Sequence, residues 1–556
     1  MKSTCTCCVE AFDIDDADLE FYTKVSPLVG GTTLSVPSPT HCPDCRQQRR
    51  MSWRNEHTLY RSSCKNCGRA IISALSPQSP YVRFCHDCWF SDTWDGKEHG
   101  RTFDMNQTFF DQFHELHQAV PQLAVSIWNS ENSDYCNYIG DVKDSYLLFG
   151  SVYSQDCYYG SPYYSKNCVD TLVVRNCERC YECVDCRELY DCSWCQDCIG
   201  SHGLLYCRDL QSCDDCIGCA GLRRKKFCIF NEQLTEAEYK KRKSELDLTN
   251  PVVRVTLQAK LSELVAAMPH RYMQSNKTED ASGNFVYESK NAHDVYYADK
   301  CHDCRYCAQV VDLKDCHDLN FTEENELCYE YLGAYQNNRV LFSLFCNRVN
   351  ESMYCIACHR SSHLFGCSGL KDASYCILNK QYTKAEYEKL VPKIVEHMRQ
   401  NREYGEFFPA GHSPFGYNET VAEEYYPMTE DAVRSRGWRW NTDLPYATGK
   451  ETVMFDQLPV AIADVPDSIT QEILGCEPCG RNYRVIPQEL AFYKSQNLPL
   501  PYACFDCRHR ARIAQRNPRT LWNRICAKCD KSIETTYAPD RPETVYCEEC
   551  YLKEVY

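Results

Sequence analysis

Two stretches of the chain, residues 132–230 and 281–378, share one hydrophobic–polar pattern. Short runs of aromatic and β-branched residues alternate with Asp, Asn and Gly, and no 3.6-residue period develops. The unit recurs about every 9–12 residues as an Asp or Asn, a small residue or Cys, then bulky β-formers. Asp144-Ser145-Tyr146-Leu147, Asp156-Cys157-Tyr158-Tyr159, Asn167-Cys168-Val169 and Asp315-Cys316-His317 are examples. The pattern predicts two β-solenoids, in which each coil buries its inward side chains only by stacking on the next. Asn and Asp suit the left-handed corners between short strands.

Helical character appears where each solenoid ends. Thr235 precedes Glu236-Ala237-Glu238-Tyr239-Lys240, an N-cap followed by helix formers, and Thr383 repeats the arrangement. These predicted helices cap the solenoids and block edge pairing. Residues 262–268 belong to a further helix between the solenoids. His114 and His117, on a helix predicted after residue 92, read as surface residues.

The chain is also a nested duplication. A shift of 462 positions lays residues 42–88 on 504–550 without a gap, matching six cysteines and the pairs Arg46/Arg508, Arg50/Arg512, Arg54/Arg516 and Asn55/Asn517. Upstream, across a different loop length, Cys5/Cys476, Cys8/Cys479, Phe21/Phe492 and Tyr22/Tyr493 align. A shift of 148 lays Phe227-Cys228-Ile229-Phe230-Asn231 on Tyr375-Cys376-Ile377-Leu378-Asn379. The expected class is mainly β and multi-domain: duplicated treble-clef or zinc-ribbon modules flank two β-solenoids with helical caps. The boundaries are a double zinc module (1–92), a helical connector (93–131), the first solenoid (132–230), a cap and linker (231–280), the second solenoid (281–378), a cap and connector (379–470) and the second double module (471–556).

The chain has 42 cysteines among 556 residues. At the ends they form eight CxxC pairs, and two such knuckles complete one tetrahedral site. The expected ligand sets are Cys5, Cys8, Cys42, Cys45; Cys64, Cys67, Cys85, Cys88; Cys476, Cys479, Cys504, Cys507; and Cys526, Cys529, Cys547, Cys550. That is about four structural Zn²⁺ ions, each closed by four thiolates. Cys7 falls on Pro478 in the other copy and is left outside the sets.

The middle cysteines read differently. Cys177-x-x-Cys180-x-x-Cys183-x-x-Cys186 and Cys301-x-x-Cys304-x-x-Cys307 invite an iron–sulfur reading but lack the ferredoxin spacing. At the 148-residue shift Cys183 falls on Tyr331, Cys186 on Ala334 and Cys216 on Leu364. A small apolar core residue tolerates such exchange and a ligand does not, so stacked core cysteines are favoured over metal or redox sites.

The formal charge is −16, from 61 basic and 77 acidic residues, which argues against indiscriminate binding of nucleic acid or anionic membrane. The module helices run the other way, with Arg46, Arg50, Arg54 and their copies Arg508, Arg512, Arg516 recurring on one face. That face reads either as a phosphate-binding surface for nucleic acid or as a partner for acidic surface elsewhere in this acidic chain. The amino terminus shows no apolar leader and no run is long enough to span a bilayer, so reduced thiols and a cytoplasmic setting are expected. No phosphate loop, dinucleotide fingerprint, nucleophile elbow or HExxH is present, and Cys301-His302 and Cys358-His359 are sequence neighbours without a defined dyad geometry. An enzyme is not expected, and no small-molecule substrate is identified.

The run Cys5-x-x-Cys8, Leu19-Glu20-Phe21-Tyr22, His41-Cys42-Pro43-Asp44-Cys45-Arg46-Gln47-Gln48-Arg49-Arg50 resembles the zinc-ribbon (treble-clef-like) domain family. Its continuation from Tyr60 through Phe84-Cys85-His86-Asp87-Cys88-Trp89 into the Cys/Tyr-rich repeats is similar to large zinc-ribbon proteins of candidate-phyla bacteria. The resemblance covers nearly the whole chain; it implies zinc binding and a bacterial cytoplasm, and brings no established activity. The expected role is therefore a non-catalytic scaffold for a protein partner. A nucleic-acid or ribosome-associated protein, and a thiol redox or metal-storage protein, are the alternatives.

Overall fold

The computed structural model describes residues 1–302, 308–314, 329–333 and 335–555. Most of the β-structure lies in long parallel ladders. In the first, Asn137 pairs with Phe149, Tyr146 with Tyr158, Arg187 with Ile199 and Cys216 with Cys228. The chain thus returns beside itself at a separation of 12 residues. Left-handed backbone angles recur at every third residue, at Asn132, Tyr135, Tyr138, Asp141, Asp144 and Leu147. A turn is therefore four three-residue faces joined by corners. Asn, Asp and Gly tolerate such corners, whereas Tyr, Leu and Trp cost about 1–2 kcal/mol each, offset by the ladder bonds and inward packing on either side. At Gly160 the separation slips from 12 to 11 residues, and a Cβ there would collide with the Thr171 carbonyl.

Inward positions follow the same period of three. Cys177, Cys180, Cys183 and Cys186 occupy successive faces and are buried. Each thiol donates to the carbonyl two residues earlier: Cys180 to Glu178 at 3.4 Å, Cys183 to Tyr181 at 3.5 Å, Cys186 to Val184 at 3.2 Å. Ser145, Ser201 and Ser343 donate in the same way to Lys143, Ile199 and Leu341 at 2.8, 3.0 and 2.8 Å. Cysteine suits the position because it is small and apolar yet adds a second donor to a carbonyl that also accepts a backbone N–H from the next turn, as Trp194 gives Tyr181 at 2.9 Å.

The second ladder repeats the arrangement, pairing Tyr329 with Leu341, Val349 with Ser361 and Leu364 with Cys376. Cys304, Cys307, Cys316, Cys328 and the side chain of Cys301 lie outside the described residues. Both ladders finish on an antiparallel strand, Glu232–Gln233 and Lys380–Gln381, which covers the last edge. The predicted caps then follow. Thr235 and Thr383 close capping boxes with Glu238 and Glu386 at the starts of helices Glu236–Ser244 and Lys384–Gln400. Their Tyr239 and Tyr387 are buried against the ladder ends. Residues 262–267 close the longer helix Pro251–Ala267, whose cap is Met268.

The terminal modules dock crosswise. Tyr22 of the amino-terminal module packs on Tyr329 of the second ladder, with ring centroids 5.1 Å apart. Its copy Tyr493 packs on Tyr181 of the first ladder at 5.7 Å. Tyr181 and Tyr329 are themselves related by the 148-residue shift, so the same contact is made twice. Trp89 under Lys371 and Tyr551 under Arg223 form another matched pair. Each module also adds a strand beside the entry to a ladder: Arg83–Phe84 pairs with Gln122–Leu123, and Val545–Tyr546 with His270–Arg271, all in parallel. His117 corrects the surface expectation. It is 2% exposed, in contact with Ser368 Oγ at 2.9 Å, because its helix is wedged against the second ladder. His114 stacks on His412 with centroids 4.4 Å apart.

Candidate metal centres and the arginine faces

Each module site is built from two local devices. The first knuckle is a turn in which a backbone N–H returns to the leading cysteine's carbonyl: Gly68 to Cys64 and Gly480 to Cys476 at 2.9 Å, Val9 to Cys5 and Asp530 to Cys526 at 3.0 Å. The second knuckle starts a helix. Cys42, Cys85 and Cys504 are N-caps of Pro43–Met51, His86–Phe90 and Phe505–Ile513, and Cys547 directly precedes Glu548–Val555. A helix start offers free N–H groups and a positive dipole end to a thiolate.

These devices bring the sulfurs of all four predicted sets within 4.8 Å of one another. The Cys8–Cys42, Cys479–Cys504 and Cys529–Cys547 sulfurs are 3.7 Å apart and Cys67–Cys85 are 3.9 Å apart. A tetrahedron with metal–sulfur bonds of about 2.3 Å has edges of about 3.8 Å, so the sets are sized for such an ion. Burial pushes the Cys64 and Cys526 thiols up, but three backbone N–H groups at each outweigh it and hold both at about 6. Cys7 is exposed and stands outside the sets. Among the described residues no three ladder cysteines converge in this way. The Cys177–Cys186 run points at four different faces, and Cys358 donates to the Ile356 carbonyl at 3.6 Å while His359 packs on Trp89 at 5.2 Å. These neighbours form no dyad.

The arginine faces require a correction. Arg46, Arg50, Arg54, Arg508 and Arg512 are buried, none more than 7% exposed, and the side chain of Arg516 is 5% exposed. Arg512 lies 3.0 Å from both Asp170 and Glu182 of the first ladder, Arg516 Nε donates to Asp185 at 2.9 Å, and Arg508 joins Asp170 and Glu489. On the other side Arg50 faces Glu330 at 3.9 Å, Arg49 reaches it at 2.9 Å, and Arg54 pairs with Glu56 at 2.7 Å. Glu182 and Glu330 correspond at the 148-residue shift, as Arg50 and Arg512 do at the 462-residue shift. The faces meet acidic ladder surface within the chain and present no phosphate-binding surface. A desolvated guanidinium needs a fixed carboxylate, and the ladders supply one to Arg50 and to Arg512 at equivalent places, Glu330 and Glu182.

One convergence was not visible in the sequence. His57 Nε2 and Glu424 Oε1 are 2.6 Å apart, and His509 Nε2 lies 3.4 Å from Glu424 Oε2. Burial lowers the basicity of both imidazoles. At His57 the hydrogen bond and charge of Glu424, with Asp506 nearby, outweigh it and raise the group to about 9. These residues are 367 and 85 positions apart, and the only sequence signal is a departure from the duplication, since His57 falls on Arg519 and His509 on Gln47. No described helix is long and apolar enough to cross a membrane.

Compared with known proteins, the chain matches no family model and no curated sequence, so the likeness to zinc-ribbon proteins of a particular bacterial group gains no support there. Among solved structures it is similar to a "putative acetyltransferase from Desulfovibrio desulfuricans G20" at 11% identity and a TM-score of 0.09, over 42% of this chain and 63% of that one. A likeness of that size carries no argument about fold or activity.

Proposed function

We propose that the chain is a zinc-bound, non-catalytic scaffold of a reducing, cytoplasmic setting. In it, treble-clef-type modules clamp two β-solenoids, and the cleft between the solenoids docks a protein partner. The cleft carries the interaction half of this reading. It encloses about 660 Å³ and is lined from both ladders. Four of its residues, Trp128, Tyr153, Tyr164 and Tyr335, are 38, 55, 50 and 38% exposed. Large aromatics left grouped in water are costly unless they meet a partner, and Trp, Tyr and Arg dominate interface hot spots. Arg187 over the Tyr287 ring at 3.7 Å and the Tyr138–Phe345 stack at 5.4 Å hold the two walls in register. The twelve-residue register and left-handed corners support the solenoid reading. Sulfur spacing supports zinc, and four cysteines per ion leave no open position, which supports a structural role.

The test is retention of a partner on the full chain, with nuclease and salt controls, beside a Trp128→Ala/Tyr153→Ala/Tyr164→Ala variant. A nuclease-resistant partner lost in the variant, with about four zinc ions kept, is the expected result. Retention that disappears with nuclease and salt would replace the protein partner by nucleic acid. Retention unchanged in the variant removes the cleft as the docking place.

A further inference from the structure

His57, Glu424 and His509 come from three separate segments. His57 follows the helix Pro43–Met51 of the amino-terminal module, His509 lies in the helix Phe505–Ile513 of the carboxy-terminal module, and Glu424 lies in the short connector helix Val421–Tyr425. The side chains of His57, Glu424 and His509 are 15, 10 and 2% exposed. Phe149 closes the site from the first ladder, with its ring 5.4 Å from that of His57 and 5.1 Å from that of His509. Behind His57, the Asp506 carboxylate lies 3.6 Å from Nδ1.

From this geometry we infer a fifth metal site, in which His57, His509 and Glu424 bind one divalent transition ion of the zinc type and so tie the two ends of the chain together. This rests on the scaffold reading for its purpose and on different atoms for its chemistry. Two imidazoles and a carboxylate suit Zn²⁺ and its neighbours, whereas Mg²⁺ and Ca²⁺ prefer all-oxygen sets. Tetrahedral N/O sites have ligand edges of about 3.3–3.4 Å. His509 Nε2 is already 3.4 Å from Oε2 of Glu424. His57 Nε2, 2.6 Å from the other oxygen, Oε1, has to open by about 0.7 Å as the carboxylate turns to bind an ion, within reach of side-chain rotation. A carboxylate at the far nitrogen of a ligating histidine and an apolar wall are the usual supports of such a site.

The duplication supplies an independent argument. The symmetry-related place holds Gln47 and Arg519, which take the neighbouring connector residues instead. The Tyr426 hydroxyl donates to Gln47 at 2.5 Å, and Arg519 donates to the Tyr425 hydroxyl at 3.3 Å. One junction of the two modules is thus closed by neutral and cationic side chains unable to bind a metal ion. At the other, both positions are histidine around a single carboxylate, one from each copy.

The full chain, stripped and reloaded with Co²⁺ alone, tests this. Four tetrathiolate equivalents give sulfur-to-metal charge-transfer absorption, and a fifth adds ligand-field bands without it. His509→Gln and Glu424→Gln each remove the fifth equivalent and leave the charge-transfer bands and the far-ultraviolet dichroism at wild-type intensity. Wild type saturating at four, or a fifth equivalent persisting in both variants, overturns the site. Weak charge-transfer bands in wild type would instead count against the thiolate centres, a separate failure. Should His509→Gln lose those bands through misfolding, the near-isosteric Glu424→Gln decides alone.

Discussion

In the terminal modules Cys64 and Cys67 turn back on one another and share a point with Cys85 and Cys88. In the first ladder Cys180 and Cys183, equally spaced, step to the next face of a four-sided turn and each bond a local carbonyl. The spacing is the same and the backbone differs. A knuckle closes through an N–H returning to the leading carbonyl four residues back, whereas a ladder corner sends the chain on around the axis. CxxC therefore carries metal information only with the fold that surrounds it, and the two copies tell the cases apart: every module ligand recurs in its copy, while only some ladder cysteines do, Cys180 recurring as Cys328 but Cys183 falling on Tyr331 and Cys216 on Leu364.

The sharpest way to break this comparison is to remove one sulfur from each region. Cys526→Ser should cost one of four ions and unfold the carboxy-terminal module, read as lost metal and rapid proteolysis after residue 471. Structural zinc sites are worth about 10–16 kcal/mol in isolated peptides, so local structure does not survive the loss. An intact module with full metal content would erase the distinction.

The next largest effect concerns how the regions are joined. Arg512→Met removes a fully buried guanidinium, strands Glu182 and leaves Asp170 with Arg508 alone. Breaking such a pair costs about 3–5 kcal/mol, and denaturant unfolding should show it as a loss of that size. Double replacement, Arg512→Met with Glu182→Gln, should recover part of it, because fewer charges are left without partners. A loss under about 1 kcal/mol would mean that the clamp is held by the tyrosine contacts instead.

Much of this organisation was legible. The duplication, the four ligand sets and the capped helices after Thr235 and Thr383 follow from spacing and local chemistry, which do not depend on distant contacts. The ladder period was harder. Asp and Asn mark some corners, but Tyr, Leu and Trp occupy others, so the eye finds irregular units where the backbone keeps three and twelve. The arginine face was visible and its partner was not, since Arg512 and Glu182 are 330 positions apart. Overlaying the two offsets, 462 and 148, would have matched Arg50/Glu330 with Arg512/Glu182. For His57, Glu424 and His509 no local pattern exists, and only the break in copy symmetry points to them.

Within the ladder the expected cost of losing sulfur is small. Cys183→Ser keeps a donor for the Tyr181 carbonyl, so about 1 kcal/mol or less should be lost, with all four ions retained. Cys183→Ala removes that donor and leaves the carbonyl with the Trp194 N–H alone, so it should cost more than Ser, although alanine is the better apolar match. The reverse order would show that packing alone, and not the thiol hydrogen bond, selects cysteine here.

A last effect is a pH dependence at a ladder corner. Burial raises the Asp197 carboxyl to about 8, against the lowering pull of Arg208, whose Nε is 3.6 Å away, and Oδ1 has no hydrogen-bond partner. A carboxyl raised on folding binds its proton more tightly in the native state, so its contribution is complete at acid pH and declines as pH rises from about 4, the unfolded value, through about 8. Asp197 also sits at positive φ, which Asn tolerates, so Asp197→Asn changes charge without changing the corner. The variant should match wild type near pH 4 and gain in melting temperature up to about pH 8, by a few degrees, with no further gain above. A constant difference across that range would place the ionisation of Asp197 outside the stability of the ladder.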